Sequence, residues 1–307
     1  MKAAILTTTV CTALALGCAS CFTGIESTPR ISGGSHGQSS AATAEARFAS
    51  VIEAETPATW RPGKQWLVSD NKISIIFTPP TDNSLNRGDT LMLADVASVP
   101  TIMGTEGIAL DLRDSRGNTY RYIPGVDKAD FDKRSTIELP FTIELAPVAA
   151  ADSLLRGNTY YIRTPYWYDA YGQATTGLRH VPVKIQGVTA GTAVHPLRVA
   201  FTCDNDSSTH YAMMTYGSGT TATRNFDRLF SFTDPRRDFP LIEDATWQLI
   251  IHSRVAEGMT RDECRLALGA PASLHRGATS GAQIEYWSYD DGVYLIFEDD
   301  ILTRFRQ

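Results

Sequence analysis

Cysteine is scarce in this chain and unevenly placed. Five cysteines occur in 307 residues, and past residue 21 only Cys203 and Cys264 remain. Two thiols are too few for the disulfide framework that stabilises many small secreted domains. They either pair with each other in an oxidising compartment or serve as small buried apolar residues, and the sequence favours the second reading.

Positive charge is not in excess. The 34 Asp and Glu residues outnumber the 28 Lys and Arg residues and give a formal net charge of −6. A protein that neutralises nucleic-acid phosphates needs a concentrated Lys/Arg face, so we expect no nucleic-acid partner. The six histidines show no His-x-x-x-His spacing and no Glu beside a pair of them, so we predict neither a metal ion nor another cofactor.

The N-terminal apolar run is too short to span a bilayer. It covers residues 3–16, follows the basic start Met1-Lys2 and is interrupted by Thr7, Thr8 and Thr9, as in a secretory signal peptide. Small residues precede Cys21 and Cys18, which resembles the lipobox of bacterial lipoproteins, where the cysteine becomes the lipidated first residue. We predict a signal peptide over residues 1–20 and lipidation of Cys21, with Cys18 as the alternative.

Lipidation of Cys21 predicts an exported protein held on the outer membrane, with the periplasmic face favoured over the cell surface. A soluble secreted protein, cleaved nearby, is the other reading. Residues 21–58 are rich in Ser, Thr, Ala and Gly. Such a segment buries too little apolar surface to offset the entropy lost on ordering, so we predict a flexible tether.

Short strands dominate the pattern from residue 59 to about 216. Runs such as KISIIFTPP (72–80), GIALDLRD (107–114) and PLRVAFTCD (196–204) are rich in β-branched or aromatic residues and end at Pro or Asp. The run ELAPVAAADSLLRG (144–157) is the one helical interruption. We predict a mainly β protein with one or two small β-barrel or sandwich modules, at residues 59–135 and 136–240, followed by a C-terminal α+β domain.

Two pairs of segments resemble each other. RGDTLML (87–93) resembles RGNTYYI (156–162), and the run at 108–123 loosely resembles the run at 198–214. Either the two β modules arose by duplication or short Gly-turn-strand patterns recur by chance.

The stretch GMTRDECRLALGAP (258–271) places Cys, Asp and Glu together and could be mistaken for a reactive site. Thr260 and Glu263 have the spacing of a capping box, in which each side chain bonds the backbone N–H of the other residue. Met259 and Cys264 occupy the two positions of a hydrophobic staple. These polar and thiol groups therefore all have structural roles at a helix start, and we predict a scaffold.

A small domain surrounds this stretch over residues 241–307. The run from Asp244 predicts a first helix that stops at Gly258, and the second helix ends with a left-handed cap at Gly269 before Pro271. Strands follow at 283–289, 293–298 and 301–305, joined by the tight turns Asp291-Gly292 and Asp299-Asp300. We predict two helices on a three-stranded antiparallel meander.

Residues 242–307 resemble the SmpA/OmlA (BamE) outer-membrane lipoprotein family, whose fold is similar to that of the β-lactamase inhibitor protein. The resemblance is carried by structural positions alone: Gly258, Met259, Thr260, Glu263, Gly269, Pro271 and Trp287, the last within Glu285-x-Trp287-x-Tyr289. It implies a periplasm-facing lipoprotein that binds other proteins, often in β-barrel assembly, and it identifies no partner-contacting residue. The segment SCFTGIESTP (20–29) also resembles lipoproteins of Bacteroidota.

The aromatic segment TPYWYDAYGQ (164–173) is the strongest candidate for a binding surface. It contains Tyr166, Trp167, Tyr168 and Tyr171 in a predicted hairpin. Alternate residues of a strand face opposite sides, so a single-layered hairpin exposes some of these rings. A core-forming hairpin is the favoured reading, and a surface that binds protein or glycan is the alternative.

These patterns predict a non-enzymatic envelope lipoprotein that acts by protein–protein interaction, in its most specific form as an accessory of outer-membrane protein assembly. The main alternative is a glycan- or ligand-binding surface protein that uses residues 166–171. A hydrolase with a dispersed site is a third reading, although YGSGT (216–220) lacks the Gly-x-Ser-x-Gly spacing of a nucleophile elbow.

Overall fold

The computed structural model describes residues 52–80, 85–102, 104–204, 206–216, 224–279 and 282–307. The predicted signal peptide, Cys18, Cys21 and most of the predicted tether lie outside these residues. Within them the chain is mainly β, as predicted, and forms three antiparallel sheets of five, seven and four strands. None of the helices in these ranges has the length and hydrophobicity of a membrane span.

The first sheet has the strand order β4-β3-β2-β1-β5. Its end strands are only four and three residues long, which is too short to close the sheet on itself, and the other two sheets are open as well. The barrel form of the predicted modules is therefore wrong. The strands are β1 (Gln65–Val68), β2 (Thr90–Pro100), β3 (Glu106–Asp114), β4 (Thr119–Tyr122) and β5 (Thr142–Glu144), and the short helix α1 (Lys128–Phe131) follows β4.

One segment predicted as a strand is helical. Residues Asn71–Ile76 form a 3₁₀ helix, although their isoleucines alternate with polar residues in part of the run. The carboxylate of Asp70 accepts a hydrogen bond from the Lys72 N–H at 2.9 Å. This local cap satisfies a backbone donor at the start of the turn and favours a helical start over an extended one.

A buried lysine lies at one end of the first core. The Lys64 side chain is 3% exposed and forms ion pairs with Glu144 and, at 2.8 Å, with Glu55. Its ammonium group lies 5.2 Å from the ring centre of Trp60 and 5.3 Å from that of Trp66. Both indole rings therefore lie close enough to the ammonium group for cation–π attraction.

The second sheet has the order β12-β6-β9-β10-β11-β7-β8. Helix α2 (Leu145–Leu155) begins directly after β5, and its Ala151 and Leu155 enter the same core as Ile185 and Val188 of the sheet. The strands are β6 (Thr159–Ile162), β7 (Tyr166–Tyr168), β8 (Ala174–Thr176), β9 (Val181–Ala190), β10 (Leu197–Cys203), β11 (Asp206–Met214) and β12 (Phe230–Ser231), with helix α3 (Phe226–Leu229) before β12.

The segments that resemble each other in sequence occupy different places in the two sheets. In the first sheet β2 and β3 are neighbours, whereas in the second sheet β9 lies between β6 and β10. The topology of the two sheets therefore differs at the strands where the resemblance lies.

The C-terminal unit contains the two predicted helices and a meander of four strands, one more than predicted. Helix α4 (Asp244–Ile251) and helix α5 (Arg261–Leu268) share a core with Trp287, which is buried. The strands are β13 (Ser273–Thr279), β14 (Ala282–Ser288), β15 (Tyr294–Glu298) and β16 (Ile301–Arg306). The additional strand is β13, whose sequence SLHRGAT has too few apolar residues to show an alternating pattern.

The helix ends differ from the prediction in detail. Helix α4 ends at Ile251, before the predicted stop at Gly258, because Ser253 turns the chain with a positive φ of 55°. Helix α5 ends at Leu268, and Gly269 has φ 88° and ψ −167°. This backbone conformation favours glycine but is not the predicted left-handed cap. Pro271 follows and lies two residues before β13.

The start of α5 matches the prediction. Thr260 Oγ1 accepts a hydrogen bond from the Glu263 N–H, and the Glu263 carboxylate accepts one from the Thr260 N–H at 2.7 Å, so the capping box is present. Met259 and Cys264 are both buried in the C-terminal core. Burial raises the pKa of the Cys264 thiol to about 12, so this thiol is protonated and unreactive at neutral pH.

The segment Gly258–Thr260 also covers an edge of the C-terminal sheet. The Gly258 N–H donates to Leu302 O at 2.9 Å, and the Leu302 N–H donates to Met259 O at 2.8 Å. These bonds satisfy backbone groups of β16 that an edge strand would otherwise leave unpaired. The Gly-Met-Thr motif therefore closes this part of β16 to a further strand.

The C-terminal unit is joined to the second sheet through Arg179 and His180. Arg179 donates from its N–H to Ile251 O at 2.8 Å, from Nε to Ser253 Oγ at 3.1 Å and from Nη2 to Leu268 O at 3.3 Å. His180 Nε2 lies 3.1 Å from Leu266 O. Arg179 thus contacts both helices: its backbone N–H bonds the last residue of α4, and its guanidinium bonds the C-terminal end of α5, where the helix dipole favours a cation.

We expect Arg179→Met to lower the free energy of unfolding by about 1–3 kcal/mol, because it removes two side-chain hydrogen bonds and leaves half-buried acceptors without a donor. Urea denaturation followed by circular dichroism measures this change. Arg254→Met, at an exposed arginine of the same region, is the control and should change the value by less than about 0.5 kcal/mol. Equal stability of the two variants would show that Arg179 does not stabilise the junction.

Candidate functional site

The predicted aromatic segment forms a hairpin, but Trp167 does not face solvent. Strands β7 and β8 pair antiparallel, and Trp167 is 5% exposed. Its ring centre lies 5.1 Å from that of Phe201 and 4.9 Å from that of His210, and its Nε1 donates to Thr164 O at 2.9 Å. Trp167 faces the inner side of the sheet, so its assignment to a binding surface is wrong.

A glycine fits closely over the Trp167 ring. A Cβ atom added to Gly177 would lie 2.0 Å from the indole carbon Cδ2, so no larger residue fits there without a shift of backbone or ring. The hairpin therefore wraps around Trp167, and the favoured core reading of the segment holds for this residue.

The tyrosines of the hairpin lie on the other side or at the turn. Tyr166 and Tyr168 alternate with Trp167 along β7, and Tyr168 is directly opposite Tyr211 of β11. Tyr166 is 60% exposed, and Tyr171, in the turn, is 90% exposed. The outer face of this sheet thus carries three neighbouring tyrosines, of which two come from the predicted segment.

Two arginines from other parts of the chain lie close to these rings. The Arg198 guanidinium carbon lies 3.8 Å from the ring centre of Tyr211, and that of Arg224 lies 5.9 Å from the ring centre of Tyr168. Arg224 Nη2 is also 3.5 Å from Tyr166 O. We call Tyr166, Tyr168, Tyr211, Arg198 and Arg224 the tyrosine–arginine face.

The same arginines hold the hairpin on the sheet. Arg198 Nη2 donates to Ala170 O at 2.7 Å and to Asp169 O at 3.3 Å, and Arg224 Nε donates to Met213 O at 2.8 Å. In the part of the chain that the structure describes, neither arginine forms an ion pair with a carboxylate. Among the residues that the structure describes, both guanidinium groups contact tyrosine rings and carbonyl oxygens.

Sequence reasoning missed Tyr211, Arg198 and Arg224. Alternation in the runs at 197–203 and 206–214 indicates that Arg198 and Tyr211 lie opposite the apolar side of their strands. It does not indicate the strand order that brings β11 beside β7. Arg224 lies outside a regular element and gave no signal.

Comparison with protein-family models, with curated proteins and with solved structures finds no match to this chain. The resemblance of residues 242–307 to the SmpA/OmlA family stays a prediction. Among the described residues, no three or more His, Cys, Asp or Glu side chains form a group that could hold a metal ion, and Cys203 and Cys264 are not joined in a disulfide.

A second candidate surface is the outer face of the C-terminal sheet. Along β14 and β15 the residues Glu285, Trp287, Leu295 and Phe297 are buried, whereas those between them point away from the core. The side of the sheet that points away from the core is called the outer face. It carries Ile284, Tyr286, Tyr294, Ile296 and Ile301, with Arg304 and Arg306 of β16 beside them.

The outer face is apolar and uncovered in the described chain. Tyr286 is 46% exposed, and Tyr294 and Ile301 are exposed as well. Tyr286 lies directly opposite Ile296, which in turn lies opposite Arg304, and Tyr294 lies opposite Arg306. The arrangement is an apolar centre with a basic margin on one side, and Glu298 is the one acidic side chain in the same rows.

The buried side of this sheet explains the Glu285-x-Trp287 pattern. Glu285 accepts hydrogen bonds from Arg261 Nη1 at 2.6 Å, from Arg276 Nε at 2.9 Å and from Trp287 Nε1 at 3.0 Å. Burial raises the pKa of Glu285, but the bonds from Arg276 and Trp287 and the charge of Arg261 outweigh it and leave the pKa below its usual value. Glu285 therefore links α5 to β13 and β14 as a charged structural group.

Proposed function

We propose that this chain is a non-enzymatic, lipid-anchored envelope protein that binds another envelope protein through the outer face of its C-terminal sheet. The observation that carries the proposal is the exposure of Tyr286, Tyr294 and Ile301 on one side of a sheet whose other side is a complete core. A contiguous apolar surface that contains tyrosines and has arginines at its margin is typical of protein interfaces.

The surrounding structure favours contact through the face of the sheet over addition of a strand to β16. Gly258 and Met259 bond Leu302 on the outer edge of β16, so an extended peptide has no free backbone there. Arg304 and Arg306 extend the contact area with positive charge, which favours a partner with an acidic margin around an apolar centre.

The predicted lipid anchor would determine where in the cell the outer face meets its partner. A lipid on Cys21, or on Cys18, would hold the protein on the outer membrane, and residues 21–58 would act as the tether that sets its reach. The resemblance to SmpA/OmlA supports the more specific proposal of an accessory role in outer-membrane protein assembly.

We expect Tyr286→Ala combined with Tyr294→Ala to weaken partner capture at least tenfold, because truncation of central aromatic residues costs about 2 kcal/mol or more at an interface. A photo-crosslinking amino acid at Ile301 of the full chain, activated in intact cells, measures capture as the yield of a defined crosslinked band. The exposed positions should tolerate both substitutions with a stability change of about 0.5 kcal/mol or less each.

Ile75→Ala combined with Ile102→Ala is the matched control, because both isoleucines are exposed and lie in the part of the chain that forms the first sheet. It should leave the crosslinked band unchanged. A band that survives loss of both tyrosines, or one that both double variants weaken equally, would contradict the outer face as the interface.

A further inference from the structure

The tyrosine–arginine face presents positive charge that the described protein does not neutralise. Arg198 and Arg224 are both half-buried and have no carboxylate partner in the residues described, and Arg198 Nε is buried without a hydrogen-bond acceptor. Partly desolvated guanidinium groups bind oxyanions strongly, since their planar forks match carboxylate, sulfate or phosphate in two parallel hydrogen bonds.

Contacts with the sheet restrict the side chains of both arginines. The Arg198 guanidinium carbon lies 3.8 Å from the ring centre of Tyr211, and Arg224 bonds Met213 O with its guanidinium carbon 5.9 Å from the ring centre of Tyr168. Their remaining N–H groups are preorganised, so a ligand loses little additional side-chain entropy on binding. Burial lowers the pKa of Arg224, and the nearby Tyr168 and Tyr166 hydroxyl groups offset this effect only in part.

The position of the tyrosine–arginine face within the sheet indicates which kind of ligand fits it. Strand β7 is paired on both sides, with β8 and with β11, so an extended peptide cannot add a strand directly beside the tyrosines of β7. Tyr166 and Tyr171 add exposed rings with hydroxyl tips, which pack on the faces of sugar rings and bond their hydroxyl groups. A ring-shaped ligand that lies on the sheet fits this arrangement better than a peptide strand.

We propose that the tyrosine–arginine face binds a saccharide that carries an oxyanion, with Arg198 and Arg224 binding the anionic group and Tyr166 contacting the sugar ring. This site is separate from the outer face of the C-terminal sheet and does not depend on the proposed function. It replaces the glycan surface expected around Trp167, which is buried, with residues from three strands and from the segment after β11.

Calorimetric titration of the full-length protein tests the proposal. The probes are tetrasaccharides that carry carboxylate (galacturonate), sulfate (sulfated galactan) or phosphate (phosphorylated mannose), with maltotetraose as the neutral probe. We expect at least one anionic tetrasaccharide to bind and maltotetraose not to bind. Arg224→Met and Tyr166→Ala should each lower the affinity about tenfold or more, whereas the exposed Arg237→Met should not.

Tyr166→Ala keeps the test valid if Arg224→Met destabilises the hairpin, because Tyr166 is exposed and its ring forms no core contact. The Tyr286/Tyr294 double variant should retain saccharide binding, which separates this site from the protein interface. Absence of binding to all three anionic probes, equal binding of maltotetraose, or an equal loss in Arg237→Met would overturn the proposal. So would an acidic peptide, oligoglutamate, that binds the face as tightly with the same dependence on Tyr166.

Discussion

Replacement of Trp167 with alanine is expected to lower the free energy of unfolding by about 3–5 kcal/mol, the cost of removing a buried aromatic ring from a packed core. The indole fills the space between Phe201, His210 and Gly177, and its Nε1 binds Thr164 O. Loss of the ring leaves a cavity and removes its contacts with Phe201 and His210. Urea denaturation followed by circular dichroism measures the change.

Tyr166→Ala is the matched control for this prediction. It removes an aromatic side chain from the adjacent position of the same strand, but on the exposed side, so the change should be within about 0.5 kcal/mol. If the two variants are equally stable, Trp167 is not a core residue. Because Trp167→Ala affects folding, loss of ligand binding in that variant would not identify Trp167 as a ligand contact.

Replacement of Lys64 with methionine is expected to lower the free energy of unfolding by about 3–5 kcal/mol, because it leaves the carboxylate of Glu144 buried without its cation. Methionine keeps most of the apolar stem beside Trp60 and Trp66, so the loss of stability reports chiefly on the missing charge. Lys133→Met, at an exposed lysine whose partner Asp130 is also exposed, should change stability by less than about 1 kcal/mol.

A double variant separates the ion pair from the packing around it. Lys64→Met combined with Glu144→Gln removes both charges, so it should be more stable than Lys64→Met alone, since no unpaired charge remains buried. A double variant as unstable as the sum of its two single variants would show that Lys64 acts by packing and not by pairing with Glu144.

Local signals predicted the C-terminal unit well. The capping box at Thr260 and Glu263 depends on residues three apart, and the turns at Asp291-Gly292 and Asp299-Asp300 place Gly292 and both aspartates at positive φ. Each of these features is determined within a few residues, so the sequence pattern is sufficient. Helix α2 was recognised for the same reason.

Two parts of the chain differ from the prediction, because their sequences lack a local signal or contain competing ones. Residues 71–76 alternate like a strand, yet the cap from Asp70 and the following Pro79 and Pro80 leave them as a short 3₁₀ helix. Strand β13 has Leu274 as its one large apolar residue, so its pairing with β14 is apparent only in the folded sheet.

The tyrosine–arginine face depends on contacts that the alternation of residues along a strand does not determine. Alternation places Trp167 on the opposite side of the strand from Tyr166 and Tyr168, but it does not indicate which side meets the core. The core side is set by Phe201 and Gly177, which are far along the chain or across a turn. The Arg179 contacts with the ends of α4 and α5 are equally remote in sequence, and no local pattern predicts them.

The direct passage from β5 into α2 has a consequence for how this architecture was inherited. Glu144 ends the last strand of the first sheet, and Leu145 begins the helix that packs on the second. A recombination break within residues 123–144 would separate the first sheet from all or part of β5, and a break within α2 would divide the helix that packs on the second sheet. Gene shuffling therefore keeps both sheets whole only if the break falls between Glu144 and Leu145.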